Sequence, residues 1–453
     1  MSRELPVHCS HFTVHLLSMV IVLIGAIANS WSLSAQDSVR MRQDIKVLAS
    51  PEMWGRSGCH DGEAKAAAYL QKEMQAIGAK PLGDNGFQKF DLPAYKMEGK
   101  VSMSVDGQTL SPFEDYRIEP YSRSIHQQNI PIIRFDVTLL LKKNEKKLGR
   151  FLVKNAEALP QSILYVEAIN AKKLKPEEAD ELNAQLRTLK QHNPYKAMGL
   201  LFGVKELPVW GLNSTRVEHD FACIYILMYK IANDTKSVSL DFENEFFTKH
   251  TQNVCFMIEG TEHPDEYIVM GAHYDHLGCM GDEVIFTGAH DNASGTAAVL
   301  NFARYFAKNP PKYTTVFLFF TCEETGLVGS KYFVDHPLLD LSRVKLMMNL
   351  DMFCGGDEGI MVVNSQSEQM KPFYDNMVKI NDEKNYISAV KSRANAANSD
   401  HYFFSQHCPA IFIYTMGGRY GGYHNYTDTC VRCGLNCFEG LFSLIRDFIS
   451  DIK

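Results

Sequence analysis

The segment Tyr267-Ile-Val-Met-Gly-Ala-His-Tyr-Asp275 is an apolar run that ends in an imidazole and a carboxylate. Strands that are covered on both faces, as in a parallel sheet, have such near-continuous apolar sequences. Further runs of this kind follow residue 252, and they are NVCFMIEG, TTVFLFFT, VKLMMNLDMF, GIMVVN and PAIFIYTM. The C-terminal half of the chain is therefore predicted to contain buried, largely parallel strands.

Helical segments separate these strands, among them SGTAAVLNFARYFAK at 294–308 and FEGLFSLIRDFISDI at 438–452. Strands that alternate with helices indicate an α/β fold. We expect a mixed, largely parallel central sheet that is covered by helices on both faces. A chain of 453 residues is also long for a single domain, since domains usually contain roughly 100–200 residues.

Polar residues cluster where the apolar runs end and in the turns between them. These residues are His273, Asp275, Asp291, Glu323, Glu324, Asp351 and His424. Taken singly, such a residue is more often a hydrogen-bonded polar group or a helix cap than a ligand. Together they are harder to explain in that way, because adjacent carboxylates after a buried run are costly to desolvate unless they are paired or bind metal.

A mixed set of imidazoles and carboxylates suits zinc and related ions. One zinc takes three or four protein ligands, whereas five candidates are present here: His273, Asp291, Glu324, Asp351 and His424. Two ions that share a bridging carboxylate account for all five. The adjacent side chains of Glu323 and Glu324 point in different directions, so one can bind metal while the other acts as a base.

The motifs that carry these residues resemble those of the co-catalytic two-zinc aminopeptidase family, of the bacterial leucyl aminopeptidase type. They are GAHYDHLG, GAHDNASG, FTCEETGLVGSKYF, NLDMF, SDHYFF and YHNYTDT, and they occur in the order found in that family. The segment LASPEMWGRSG resembles the N-terminal part of the same family. Relatives of this family include glutamate carboxypeptidase, the transferrin receptor and glutaminyl cyclase.

The resemblance implies a ligand set for each ion. One zinc would be held by His273 and Asp351, and the other by Glu324 and His424. Asp291 would bridge the two ions, and the peptide bond that follows it would be cis.

The resemblance also implies roles for residues around the metals. Glu323 would be the general base, Tyr423 would stabilise the oxyanion, and Asp275 would hydrogen-bond the far nitrogen of His273. Asp400 is left open between such a supporting role and a helix cap. Three nearby histidines are expected to lie outside the ligand set: His276, His290 and His401.

The implied function is a zinc-dependent exopeptidase that hydrolyses the first peptide bond of peptides with a free N-terminus. Two alternatives stay open, a glutaminyl cyclase-like enzyme with one zinc and a non-catalytic, receptor-like relative. The DNASG turn together with both histidine ligands favours hydrolysis. The net charge of −7 and the lack of a basic cluster argue against nucleic acid as a partner.

The peptidase domain is predicted to consist of residues 36–95 and 246–453. Residues 96–245 are predicted to form a smaller, mostly-β inserted domain, which is similar to a protease-associated domain or a lid. Within it, KVSMSVDGQTL, GRFLVK and SILYVEAI are predicted to be strands, and KLKPEEADELNAQLRTLKQH a helix.

The first 35 residues resemble a signal peptide. The apolar run at 16–28 is shorter than the roughly 20 residues of a spanning helix, and small residues precede a predicted cleavage site after Ala35. Export to a periplasm or to the medium is therefore expected, with an uncleaved anchor as the alternative. Near the other end, Cys430, Cys433 and Cys437 are expected to form a local disulfide or to remain buried thiols rather than to bind zinc.

Overall fold

The computed structural model describes residues 38–167, 174–212, 219–418 and 422–453. The apolar run at 16–28 and the predicted cleavage site lie outside these residues. Within the described ranges, no helix is both long and apolar enough to cross a membrane.

The strands and helices follow in chain order. The strands are β1 (Lys80–Pro81), β2 (Phe87–Lys96), β3 (Ser102–Val105), β4 (Gln108–Thr109), β5 (Tyr116–Ile118), β6 (Ile125–Phe135), β7 (Ile163–Glu167), β8 (Gly199–Val204), β9 (Ala222–Leu227), β10 (Ser237–Phe242), β11 (Glu245–Ile258), β12 (His263–His273), β13 (Gly278–Met280), β14 (Val284–Phe286), β15 (Tyr313–Phe320), β16 (Val344–Leu350), β17 (Ile360–Val363), β18 (Val390–Arg393) and β19 (Ala410–Thr415). The α-helices are α1 (38–48), α2 (Gly62–Ala76), α3 (Glu145–Asn155), α4 (Pro176–His192), α5 (Ser294–Lys308), α6 (Val328–Asp335), α7 (Lys371–Lys384), α8 (His401–Phe404) and α9 (Phe438–Asp451).

The main sheet has the order β1-β11-β15-β12-β16-β19-β17-β18, and β2 also pairs with β11. Its centre consists of β15, β12, β16 and β19, which all run parallel. The antiparallel pairs β11–β15 and β17–β19 lie on either side of this centre. The predicted strands are thus present, and the mixed, largely parallel sheet is confirmed.

Helices cover both faces of this sheet, as expected. Successive side chains of a strand point to opposite faces, and in β15 Phe317 and Phe319 pack in one core while Val316, Leu318 and Phe320 pack in another. Helices α1, α2, α5, α7 and α9 contribute to the first core, and α6 and α8 contribute to the second.

A second sheet contains β4-β3-β10-β6-β7-β8-β9-β5, all from residues between 102 and 242. It is not an all-strand domain, because α3 and α4 pack on one of its faces. The prediction that GRFLVK forms a strand is wrong, since these residues lie in α3. Leu148, Phe151 and Leu152 have helical spacing and together face the core, and a six-residue window is too short to show that period.

The cysteine pairing near the C-terminus also differs from expectation. Cys433 forms a disulfide with Cys354, which lies 79 residues earlier in the chain. Cys430 and Cys437 are half-buried free thiols. The expected local disulfide is therefore wrong, because the loop after β16 brings in a partner that the spacing of the C-terminal cysteines cannot indicate.

Candidate metal centre

Parallel strands bring the predicted polar residues to one edge of the main sheet. His273 is the last residue of β12 and pairs with Phe320, the last residue of β15, so Glu323 and Glu324 follow close by. Asp351 follows β16, the other neighbour of β12. Two loops complete the group, with Asp291 in the turn before α5 and His424 in the segment between β19 and α9.

Asp291 lies between the two histidines and faces each with a different oxygen. The Nε2 atom of His273 lies 3.3 Å from Asp291 Oδ1 and 3.3 Å from Asp351 Oδ1. The Nε2 atom of His424 lies 3.4 Å from Asp291 Oδ2 and 3.0 Å from Glu324 Oε2. The five residues thus form two three-atom groups that share Asp291.

These distances fit metal ligation better than direct hydrogen bonding. Each Nε2 atom can carry only one hydrogen, yet each faces two carboxylate oxygens. Zinc binds nitrogen and oxygen at ~2.0–2.1 Å in tetrahedral geometry, which places ligand atoms ~3.3 Å apart. The type and spacing of the donor atoms therefore fit one cation in each group, with Asp291 common to both.

The charge balance of the buried site points to cations as well. Burial opposes a charged imidazole, yet hydrogen bonds to Asp291 and Glu324 raise the pKa of His424 to about 11. Burial opposes it at His273 too, but the charges of Asp351 and Glu323 raise the pKa of His273 well above its usual range. Arg56 offsets part of this negative charge, and metal ions held in the two groups would offset more of it.

Glu323 lies beside the two groups. One of its carboxylate oxygens lies within 4.8 Å of ligand atoms of His273 and Asp351. Burial and the charge of Glu324 raise the pKa of Glu323 well above the usual range of a carboxyl group. A carboxylate in this position can accept a proton from a molecule bound between the groups.

Asp275 contacts His273 less closely than expected. Its Oδ1 atom lies 3.6 Å from the Nδ1 atom of His273, whereas the main-chain carbonyl oxygen of Asp275 lies at 3.2 Å. The carboxylate of Asp275 instead accepts the N–H groups of Glu323 at 3.1 Å and Glu324 at 3.3 Å. Asp275 thereby orients the backbone that carries both glutamates.

A serine that we had not identified from the sequence holds Asp351. Ser399 donates its hydroxyl to Asp351 Oδ2 at 2.8 Å and accepts from Asn349 at 2.7 Å. The neighbouring Asp400 is fully buried and makes no capping hydrogen bond to α8, so the helix-cap interpretation of Asp400 is wrong. Burial raises the pKa of Asp400 to about 7.

Of the three histidines expected outside the ligand set, His276 contacts a ligand candidate. Its Nδ1 atom lies 2.7 Å from Glu324 Oε1, so His276 holds the carboxylate oxygen of Glu324 that does not face His424. His290 accepts the N–H of Cys354 at 3.3 Å, and His401 pairs with Asn395 at 3.1 Å. The apolar strand pattern gives no signal for His276, because its role depends on a side chain 48 residues later.

Two further residues, absent from our sequence-based site, hold the Asp291 turn. The carboxylate of Asp428 accepts the N–H of His290 at 2.8 Å and that of Asp291 at 3.0 Å. The fully buried Arg56 donates to main-chain carbonyl oxygens, which belong to Leu48, Tyr274, Thr287, Gly288 and Asp291. The peptide bond between Asp291 and Asn292 is cis, as the resemblance implied.

Tyr423 lies at the open side of the site. Its side chain is 52% exposed, and its ring stacks on that of His424 with a centroid distance of 4.0 Å. Partial burial and the charge of Asp291 raise the pKa of its hydroxyl, which therefore stays protonated at neutral pH. A protonated hydroxyl in this position can donate a hydrogen bond to a bound group.

Comparison with known proteins supports the interpretation of this region. Residues 253–449 match the model of Peptidase family M28. The matched segment contains every residue of the two three-atom groups, together with Glu323 and Tyr423.

One curated relative is "Probable zinc metalloprotease" from Pyrenophora teres f. teres (strain 0-1), which is 37% identical over 117 residues. That match covers 25% of this chain and 24% of the relative, so the chain spans about a quarter of the length of that protein.

Solved structures show the fold over most of the chain. BSAP, a zinc aminopeptidase from Bacillus subtilis, aligns with a TM-score of 0.63 and 18% identity, covering 91% of this chain and 97% of that one. A peptidase M28 precursor from Shewanella amazonensis SB2B aligns with a TM-score of 0.63 and 16% identity, covering 93% and 96%. The chain therefore shares its fold, over most of its length, with these two proteins.

The position of Arg56 leads to a prediction about stability. Burial lowers the pKa of Arg56 to about 10, so it remains a cation at neutral pH. Replacing it by Met would leave the buried Asp428 and Asp291 without this charge and several carbonyl oxygens without a donor. We expect Arg56→Met to lower the free energy of unfolding in urea by ~3 kcal/mol or more.

A suitable control is Arg343→Met, because Arg343 is half-exposed and its ion pairs with Asp265 and Asp340 are long. That change should stay within ~0.5 kcal/mol of the parent. Equal stabilities of the two variants would contradict the role assigned to Arg56.

Proposed function

We propose that this protein is a zinc-dependent aminopeptidase that uses two metal ions. The observation that carries the proposal is the position of Asp291, whose two oxygens face His273 and His424 separately. His273 and Asp351 would hold one zinc, Glu324 and His424 the other, and Asp291 would bridge them. The match to Peptidase family M28 supports this function.

Bound zinc would lower the pKa of a coordinated water molecule towards neutrality and polarise the scissile carbonyl group. Glu323, which lies beside both groups without belonging to the proposed ligand set, would accept the proton of the attacking water. It would then return that proton to the leaving amine. The hydroxyl of Tyr423 would donate a hydrogen bond to the oxyanion of the tetrahedral intermediate.

The substrate proposed is a short peptide with a free N-terminus. The centre has more carboxylates than the metal ions need, and this surplus favours a substrate that brings a positive charge. Asp275, Glu323 and Asp400 would be nearby carboxyl groups outside the proposed ligand set. An N-acetylated peptide lacks the charge and would be a poor substrate.

A hydrolysis assay tests this function. Protein loaded with zinc should hold two ions per chain, release free amino acids from short unblocked peptides and leave N-acetylated peptides intact. A glutaminyl cyclase would instead hold one zinc and release ammonia from peptides with N-terminal glutamine. A receptor-like protein would turn over neither substrate, and either result would overturn the proposal.

The role of Glu323 is tested by Glu323→Gln. This substitution keeps the size of the side chain and removes its ability to accept a proton. We expect kcat to fall by ~10²-fold or more, while the zinc content measured by atomic absorption stays at the parental value. Near-normal turnover would remove Glu323 from the mechanism, and Glu262→Gln at an exposed position serves as the matched control.

We further propose that the protein is exported, to a periplasm or to the medium. The buried disulfide between Cys354 and Cys433 supports this, since such bonds persist in oxidising compartments. N-terminal sequencing of protein from the native source should begin near Gln36. A sequence that begins at Met1 would contradict cleavage and favour a retained anchor.

A further inference from the structure

A main-chain carbonyl group of the inserted domain contacts the metal centre. The Nδ1 atom of His424 lies 3.0 Å from the carbonyl oxygen of Trp210. Trp210 belongs to the loop that follows β8, within the residues predicted to form the insert. We propose that the inserted domain contributes to metal binding. Its residue Trp210 positions the ligand His424 and thereby sets the affinity of the zinc site formed by Glu324 and His424. This inference rests on the proposed function.

The hydrogen bond determines which nitrogen of His424 can bind metal. A carbonyl oxygen can only accept, so the hydrogen must be on Nδ1. The Nε2 lone pair is then directed at Asp291 Oδ2 and Glu324 Oε2, at 3.4 and 3.0 Å. A partner that fixes the tautomer and the ring orientation of a ligand histidine commonly changes metal affinity by ~10–100-fold.

The two histidines differ in where this support comes from. His273 finds its carbonyl acceptor two residues away, at Asp275, with a distance of 3.2 Å. The acceptor for His424 is Trp210, which lies 214 residues away in the inserted domain. Displacement of the insert would therefore affect the Glu324–His424 group and leave the His273–Asp351 group intact.

Aromatic packing holds Trp210 in place. Its side chain is 2% exposed and stacks on Phe113, with ring centroids 5.1 Å apart. The other neighbour is Phe286, also at 5.1 Å, which belongs to the peptidase domain just before the Asp291 turn. The indole N–H has no hydrogen-bond partner among the described residues, so packing alone fixes the ring.

A buried arginine holds the two residues that precede Trp210. Arg117 donates to the carbonyl oxygens of Pro208, at 2.9 Å, and Val209. Arg117 is held in turn by Glu119 at 2.6 Å, and Lys190 donates to the same carboxylate at 3.0 Å. The position of the Trp210 carbonyl group is therefore fixed both by the hydrogen bonds of Arg117 to the preceding residues and by the packing of the Trp210 ring.

The insert is docked on the peptidase domain through a shared core. Met280 and Phe286 of the β13–β14 hairpin pack with residues of the second sheet in one apolar cluster. Main-chain hydrogen bonds join Gly281 to Met97 at 2.9 Å and Asp282 to Gly99 at 2.8 Å. This hairpin leads directly into the Asp291 turn, so the loop of Trp210 keeps its place relative to the metal ligands.

The test measures the affinity of each zinc separately, by competition with a chelator, in the full-length protein. Trp210→Ala should weaken one of the two ions by ~10-fold or more and leave the other unchanged. Trp210→Phe, which retains a stacking ring, should restore most of the lost affinity. A purely structural role in the insert would not select one of two ions.

The control for general destabilisation of the insert is Leu189→Ala, because Leu189 is buried on the opposite face of the second sheet. It should lower the unfolding temperature without changing either zinc affinity. If Trp210→Ala does not fold, Arg117→Lys provides the test, since Lys keeps the charge beside Glu119 but cannot reach both carbonyl oxygens.

Two results would overturn the inference. Unchanged affinities in Trp210→Ala, or equal losses at both ions, would show that the insert does not position His424, while the proposed function would stand. A parent protein that binds no zinc would instead overturn the proposed function, and the inference with it.

Discussion

The rest of the structure depends on one constraint, the burial of Asp291 between two imidazoles and two further carboxylates. The Nε2 atoms of His273 and His424 each lie 3.0–3.4 Å from two carboxylate oxygens. In a buried site such a cluster is costly to desolvate, and bound cations would lower that cost. The protein therefore has to hold this geometry rigidly enough for ions to bind.

The fold meets that requirement with main-chain contacts more than with side-chain pairs. Arg56 donates hydrogen bonds to carbonyl groups of the Asp291 turn, and Asp428 accepts hydrogen bonds from N–H groups of the same turn. Asp275 accepts the N–H groups of both glutamates. Parallel strands then bring these loops to one sheet edge, where ligand sites of α/β proteins form.

Much of this arrangement could be predicted from the sequence. The long, near-continuous apolar runs predicted the central strands. The polar residues that end these runs, or lie in the turns between them, gave the ligand candidates, because strand ends in a parallel sheet meet at one edge. The supporting residues could not be predicted in the same way. The side chain of Arg56 donates to a main-chain carbonyl group, and the main-chain carbonyl group of Trp210 accepts from His424, each across more than 200 residues. The pattern of side chains along the sequence does not predict such contacts. The strand prediction for GRFLVK was wrong for a different reason, because six residues are too few to distinguish the period of a strand from that of a helix.

We propose that the carboxylate of Asp291 binds two cations at once. A crystal structure of the zinc-loaded protein, with anomalous diffraction recorded at the zinc edge, tests this proposal. We expect two zinc peaks ~3.5–4 Å apart, each next to a different oxygen of Asp291, one beside His273 and the other beside His424. A single peak, or ions that do not contact Asp291, would contradict it.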